Sequence, residues 1–263
     1  MTVRPPAVAG MFYPADAPTL RREIDASFAD AVDPPPGAGV PKALIVPHAG
    51  FVYSGPVAAS AFARLAPARD VIERVVLLGP SHRVYLRGLA VPSADSFDTP
   101  LGAIPIDDGL RRTALGVSGV AVDDAAHRDE HSLEVELPFL QTALAGFTLL
   151  PLSVGDTTTD EVAAVLDAVW GGPETLIVIS TDLSHYHPYD EAKQLDARTA
   201  AAIVSGDPSA IGDHDACGSR PLRGMLRVAH ERGLTVEQLD LRNSGDTAGD
   251  RRRVVGYGAF AVV

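Results

Sequence analysis

The chain has 263 residues, is 46% hydrophobic and carries a formal net charge of −12 from 34 acidic and 22 basic side chains. A nucleic-acid partner would require a basic face, so this balance argues against one. Cys217 is the single cysteine, which excludes an intrachain disulfide and fits a reducing compartment. No uninterrupted apolar run approaches the roughly 20 residues that span a bilayer, and no signal peptide is recognisable. We therefore expect a cytoplasmic protein without a membrane partner.

The predicted elements alternate between helices and short apolar strands. Residues 18–31 place Leu20, Ile24 and Phe28 four positions apart, which predicts an amphipathic helix, and a Pro/Gly-rich loop follows. Segment 133–144 stays open, because it begins with strand-like alternation while Pro138 suits a first helical turn. The other predicted strands are 42–46, 74–78, 147–152, 175–180 and 254–263, and the other predicted helices are 56–66, 107–114, 159–169, 190–204 and 221–231.

These strands are apolar throughout and do not alternate with polar residues. Continuous apolarity is typical of strands whose two faces are both buried. Helices between such strands favour an α/β fold, with a largely parallel or mixed central sheet between two helical layers. We expect one such three-layer domain over residues 1–263, with the last strand antiparallel to its neighbour.

Three predicted strands are followed within a few residues by histidine. His48 follows 42–46, His82 follows 74–78, and His185 follows 175–180. Ligands of open α/β sheets bind at the carboxyl ends of parallel strands, so three such histidines indicate one shared crevice. The alternative is that each histidine only hydrogen-bonds its own loop.

Cys217 lies just before the helix predicted at 221–231, with Ser219 as the expected N-cap. The positive end of the helix dipole favours a thiolate there, although a lone cysteine is often only a buried, inert group. Two imidazoles and a thiolate form a plausible metal site for non-heme iron, and equally for zinc or copper. His185 is the candidate general acid or base, with Asp182 orienting its ring or acting as a helix cap.

His127 to His131 fit the H-x-x-E-H pattern of one class of zinc peptidase. That chemistry needs both histidines on one face of a helix, and the acidic surroundings show no apolar stripe that predicts such a helix. We expect His131 to approach the crevice from a neighbouring loop and to contact the substrate together with Tyr53.

Taken together, the motifs are similar to those of the Memo-like family, known in prokaryotes as AmmeMemoRadiSam system protein B. The resemblance runs almost from end to end. Its motifs, in order, are VAGMFYP (8–14), VPHAGFVYSG (46–55), GPSH (79–82), TPLG (99–102), EHSLEVELPFL (130–140), STDLSHY (180–186), ACG (216–218) and VVGY (254–257).

The resemblance implies a LigB-like fold, that of the catalytic subunits of class III extradiol dioxygenases, which use Fe(II). His48, His82 and Cys217 match the metal-binding positions of the family, and His185 matches the catalytic histidine of the dioxygenases, with Asp182 beside it. The cysteine replaces a carboxylate ligand of the dioxygenases. Relatives are associated with iron or copper and redox effects, and eukaryotic relatives with phosphotyrosine peptides. Prokaryotic members suggest a pathway shared with a radical SAM protein and an AMMECR-like protein.

Three functions follow as hypotheses. The leading one is a metal-dependent, dioxygenase-like oxidoreductase with Fe(II), or else copper or zinc, acting on a small molecule that the sequence does not identify. The alternative is a non-catalytic module that keeps the crevice to bind a metal or a peptide. Metal-dependent hydrolysis is the third.

Overall fold

The computed structural model describes residues 2–263, which form a large mixed sheet flanked by helices and a small three-stranded sheet. The strands are β1 (Val3–Arg4), β2 (Ala43–Val46), β3 (Arg74–Pro80), β4 (Leu89–Val91), β5 (Ser96–Thr99), β6 (Gly102–Pro105), β7 (Val120–Val122), β8 (Thr148–Val154), β9 (Thr175–Ser180), β10 (His185–His187), β11 (Val236–Asn243) and β12 (Val254–Val262).

The helices are α1 (Ala17–Ala29), α2 (Phe51–Phe62), α3 (Asp108–Leu115), α4 (Ala125–Arg128), α5 (Leu137–Ala143), α6 (Thr159–Ala168), α7 (Tyr189–Ser205) and α8 (Ser219–Glu231). Short 3-10 segments occupy Ala63–Ala68, Glu134–Glu136 and Pro208–Ala210. From residue 2 to residue 263, none of the helices has both the length and the apolarity needed to cross a bilayer.

The large sheet runs in the order β10-β12-β2-β9-β3-β8-β4-β7, with β11 paired to β12. Strands β2, β9, β3 and β8 are parallel, whereas β12 is antiparallel to β2 and β4 is antiparallel to β8. Helices pack on both faces of this sheet. The predicted α/β class and the antiparallel last strand are therefore confirmed.

Each central strand contributes alternate side chains to two separate cores. In β2, Leu44 and Val46 pack with α1, α2 and α5, while Ala43 and Ile45 pack with α3, α6 and α8 on the other face. All four residues are fully buried. Burial on both faces explains why the strand sequences are apolar without interruption.

The structure differs from the predicted start of α2 and settles the conformation of segment 133–144. The helix predicted at 56–66 begins earlier, at Phe51, and Pro56 lies inside it. Placing the start at Pro56 was wrong, because proline's fixed φ suits a helix and its missing N–H costs a single hydrogen bond in the second turn. In the open segment 133–144, a 3-10 turn leads into α5, and Pro138 lies in the first turn of that helix.

A buried ion pair ties the N-terminal segment to the chain before α5. Arg4 pairs with Glu134, and these side chains are 6% and 0% exposed. The Glu134 carboxylate also accepts hydrogen bonds from the N–H groups of Ala7 (2.7 Å) and Val8 (3.0 Å) and from the Tyr13 hydroxyl (2.6 Å). One carboxylate thus satisfies four donors that would otherwise be buried without a partner.

Candidate metal centre

The side chains of interest lie at the carboxyl ends of β2, β3 and β9, which are parallel neighbours. His48 follows the last residue of β2 by two positions, His82 follows β3 by two, and Asp182 follows β9 by two. Parallel strands end at the same edge of the sheet, so these residues meet there. The predicted convergence of His48 and His82 is therefore present in the fold.

Three histidine side chains form a cluster at this edge, the histidine cluster of His48, His82 and His131. Each offers one ring nitrogen, and these nitrogens lie within 4.8 Å of one another. The ring centroids are 5.2 Å apart for His48 and His82, 5.4 Å for His48 and His131, and 4.7 Å for His82 and His131. Imidazoles gathered in this way could hold one transition-metal ion.

His48 is 1% exposed, and both its ring and its backbone are fixed by hydrogen bonds. Its Nδ1 lies 2.7 Å from the Ser180 hydroxyl, and its backbone N–H donates to Asp182 Oδ1 at 2.8 Å. The other ring nitrogen, Nε2, lies 3.4 Å from Cys217 Sγ. Burial lowers the pKa of His48 well below its usual value, and the neighbouring His82 and His131 lower it further, so the ring is a neutral potential ligand.

Glu130 orients His82. Its Oε1 lies 2.9 Å from His82 Nδ1 and also accepts the backbone N–H groups of His131 (3.0 Å) and Ser132 (2.9 Å). Burial opposes ionisation of Glu130, but the hydrogen bonds from His82 and the backbone outweigh it and lower the pKa to about 2. An ionised carboxylate behind an imidazole fixes its orientation and makes it a stronger metal ligand.

His131 was expected to contact substrate, and the structure places it within the histidine cluster. Its ring packs 4.7 Å from that of Phe12, and burial lowers its pKa to about 4. Its Nδ1 is buried and lies 3.3 Å from Glu130 Oε1 without forming a hydrogen bond.

Cys217 reaches the cluster from the other side of the edge. Its Sγ accepts the backbone N–H of Asp182 at 3.2 Å. The chain at Cys217 and Gly218 packs closely against the end of β9. A Cβ at Gly218 would lie 2.7 Å from Thr181 Cβ and 2.8 Å from the Ser180 carbonyl oxygen. Glycine is therefore required next to the cysteine, as the ACG motif has it.

Two expectations about Cys217 need correction. Burial, and then the charge of Asp182, raise the pKa of the thiol to about 12, which outweighs the effect of the helix dipole. The N-cap of α8 is Gly218, whereas Ser219, the expected cap, is the first helical residue. The sulfur is thus a neutral thiol, and binding as a thiolate requires a cation to displace its proton.

Asp182 does not orient His185 as expected. Its carboxylate accepts the backbone N–H of His48, while Nδ1 of His185 lies 2.9 Å from the Leu183 carbonyl oxygen. The carbonyl can only accept, so Nδ1 carries the proton and Nε2 is left as a base. Burial raises the pKa of Asp182 to about 7, although the backbone N–H of His48 opposes the rise.

His185 lies at the rim of the site, as the first residue of β10, and it is exposed. Its charge is close enough to lower the pKa of His48, but it is not part of the histidine cluster. Its ring centroid is 5.8 Å from that of Tyr186, a non-glycine residue with a φ of 63°. Tyr53 lies in the first turn of α2 and is 40% exposed.

A cleft of about 400 Å³ opens beside the cluster, with His82 and Cys217 in its wall. Tyr85, which is 83% exposed, and Arg220 also line it. Arg220 pairs with Asp156 at 2.9 Å. The cleft provides room for a small molecule next to two candidate ligands.

The H-x-x-E-H segment does not form a peptidase site. His127 is 2% exposed, and its Nε2 lies 2.9 Å from the Ala90 carbonyl oxygen, away from the histidine cluster. Helix α4 ends at Arg128, so the two histidines do not share one helix. Of this motif, Glu130 and His131 belong to the candidate site.

His127 gives a prediction about stability. Burial lowers its pKa to about 4 from the usual 6.5, so between these values the unfolded chain binds a proton that the folded chain excludes. We therefore expect the free energy of unfolding to decrease as the pH is lowered from about 6.5 to about 4, by about 3 kcal/mol in all. Urea unfolding of wild type and His127→Gln measures this. The variant can still donate to Ala90 but does not titrate, and identical pH profiles would contradict the prediction.

Some residues of the site were not found from the sequence. Glu130 was seen only as part of a peptidase pattern, and Ser180 and Glu136 were not singled out. The available signal was the polar residues at alternate positions of EHSLEVELPFL, where an apolar segment carries buried carboxylates.

The fold and the site together define a class: an α/β protein with three imidazoles and one sulfur gathered at the carboxyl edge of its parallel strands. The family model described as Memo-like protein matches residues 4–261. A MEMO1 family protein of Aeropyrum pernix is 38% identical over 284 residues and is covered completely, as is this chain. Another from Aquifex aeolicus is 37% identical, with 98% of each chain covered. The chain therefore belongs to the Memo-like family.

A solved structure shows the same fold at greater distance. It is the crystal structure of an uncharacterized protein from Escherichia coli K12, with a TM-score of 0.51 and 14% sequence identity. The match covers 82% of this chain and 98% of that one. At this identity the likeness extends to the fold alone.

Proposed function

We propose that this protein binds a redox-active metal ion through His48, His82 and Cys217, with His131 as a further donor. We propose further that it is a dioxygenase-like oxidoreductase. The observation that carries the proposal is the convergence of three imidazoles within 4.8 Å, with Cys217 Sγ 3.4 Å from His48 Nε2. Fe(II) is the proposed metal, and copper and zinc are the other candidates for such a donor set.

The residues present fit a metal ion. His48 and His82 each have Nδ1 engaged, by Ser180 and Glu130, which leaves Nε2 of both rings for a ligand. Metal-binding histidines ordinarily have a partner of this kind on the second nitrogen. His131 adds a third ring nitrogen within 4.8 Å of those of His48 and His82.

The chemistry divides between the ion and the protein. A bound iron or copper ion supplies redox chemistry and open positions for dioxygen or substrate. The chain itself orients the ligands through Ser180 and Glu130, and it offers the cleft beside His82 for a small molecule. His185, with Nε2 free as a base, is placed at the rim to take or return a proton.

The test is anaerobic reconstitution with Fe(II), Cu(I) and Zn(II), followed by metal analysis and oxygen uptake with catechols and reductants. One bound ion per chain together with turnover supports the full proposal. One bound ion without turnover of any substrate would instead support a non-catalytic metal-binding module. Absence of stoichiometric binding for all three metals would refute the proposal.

His185→Ala separates proton transfer from metal binding. We expect the variant to bind metal like wild type, because His185 is outside the histidine cluster, and to lose at least about 100-fold in turnover, as loss of a general acid or base does. Metal titration and oxygen uptake measure the two effects. His187→Ala, an exposed histidine paired with Glu191, is the matched control. Loss of metal with retained turnover would reverse the role assigned to His185.

A further inference from the structure

The Ser180 hydroxyl is the centre of a buried hydrogen-bond network behind His48. Its Oγ lies 2.7 Å from His48 Nδ1, 2.6 Å from the Ser132 carbonyl oxygen and 2.8 Å from Glu136 Oε1. Ser180, Ser132 and Glu136 are all 0% exposed. All three contacts are short enough to require a hydrogen between the heavy atoms.

The number of hydrogens available at Ser180 determines which of the neighbouring groups must donate. A hydroxyl has one hydrogen and two lone pairs, and a carbonyl oxygen can only accept. The Ser180 hydrogen must therefore point to the Ser132 carbonyl, since two oxygens 2.6 Å apart without a hydrogen would repel. The two lone pairs of Ser180 are then left for His48 and Glu136, and both of these groups must donate.

We propose that Glu136 is a neutral carboxylic acid that donates to Ser180 and so acts as a positioning residue of the metal centre. With both lone pairs of Ser180 engaged by donors, His48 must carry its hydrogen on Nδ1. Its Nε2 then presents a lone pair towards Cys217. This inference rests on the proposed metal-binding function, because the tautomer matters only if Nε2 is a ligand.

The surroundings of Glu136 favour the neutral acid. Burial raises its pKa well above the usual value, which outweighs the lowering that a hydrogen donated by Ser180 would cause, and the charge of Asp182 raises it further. Its second oxygen, Oε2, is buried without a hydrogen-bond partner. Leaving an oxygen of an ionised carboxylate unpaired in the interior is far more costly than leaving a neutral carbonyl oxygen unpaired.

Infrared spectroscopy of the metal-free protein tests the protonation directly. We expect a protonated-carboxyl C=O band at neutral pH that is missing from Glu136→Gln, and the difference between the two proteins separates it from any contribution of Asp182. If the two spectra show no such difference, the proposal fails. Because no metal is used, this result is independent of whether the protein binds one.

Metal titration tests the positioning role. Glu136→Gln keeps a neutral N–H donor for Ser180, and we expect its Fe(II) and Zn(II) affinity to stay within about threefold of wild type. Glu136→Ala removes the donor and should lose about 10–100-fold, the usual cost of losing a partner behind a ligand. Circular dichroism and thermal melting establish whether the alanine variant is folded.

The outcomes distinguish the two proposals. Equal affinity of wild type and a folded Glu136→Ala would overturn the positioning role while leaving metal binding in place. Weak binding by Glu136→Gln, as weak as that of the alanine variant, would show that the site needs an ionisable group and would also overturn it. If wild type binds no metal, the proposed function fails, and the infrared experiment still decides the state of Glu136.

Discussion

Glu134→Gln is expected to lower the free energy of unfolding by about 3–5 kcal/mol, the cost of breaking a buried ion pair by removing one partner. The substitution leaves the buried Arg4 guanidinium without a counter-charge. It also replaces one acceptor oxygen by an NH₂ group, which then faces either the Ala7 N–H or the Val8 N–H and the Tyr13 hydroxyl. Because glutamine has the size of glutamate, no cavity contributes to the loss.

Urea unfolding of the full chain measures this effect. The matched control is Asp167→Asn, which breaks the exposed pair with Arg232, and we expect it to cost less than about 1 kcal/mol. Equal losses in the two variants would mean that the Arg4–Glu134 pair contributes no more than a surface contact. A large loss would show that residues 2–13 are an integral part of the folded unit.

Cys217→Ala is expected to reduce affinity for Cu(I) and Fe(II) by at least about 100-fold, since a lost ligand costs at least as much as a lost outer partner. Thiolate is a soft donor, so the effect should be largest for Cu(I). Alanine leaves no oxygen that could replace the sulfur. Competition titration with a chelator of known affinity measures the change.

The control for Cys217→Ala is His127→Gln, which alters a buried histidine outside the histidine cluster. Its metal affinity should equal that of wild type. If Cys217→Ala also binds like wild type, the sulfur is not a ligand, and His131→Ala then becomes the deciding variant. A loss there, with none at Cys217, would define a site of three histidines.

The protonation states of the candidate ligands determine whether metal binding releases a proton. His48 and His131 are held neutral by burial, so they do not need to lose a proton before binding. The Cys217 thiol does, because burial raises its pKa. Metal binding through sulfur should therefore release a proton, whereas binding through His48 and His131 should not.

The layered fold was predictable because its signal is local. Strands β2, β3, β8 and β9 are buried on both faces, and continuous apolar runs follow from that burial. Strands such as β7 and β11 were missed because they are short or carry polar residues at exposed positions. The early start of α2 was missed because Gly50, at its N-cap, has no side chain that would mark a helix start.

Part of the candidate site could likewise be predicted from the sequence, and part depends on the tertiary structure. His48 and His82 could be placed together from the amino-acid sequence, since each follows an apolar strand and parallel strands end at one edge. The membership of His131, the protonation of Cys217 and the Ser180–Glu136 network depend on contacts between distant segments. His48 and Ser180 are 132 residues apart, and Ser180 and Glu136 are 44 apart. Apolar runs and strand ends can be read locally because burial acts on neighbouring residues, whereas hydrogen-bond partners and pKa shifts are created only when the packed loops bring separate segments together.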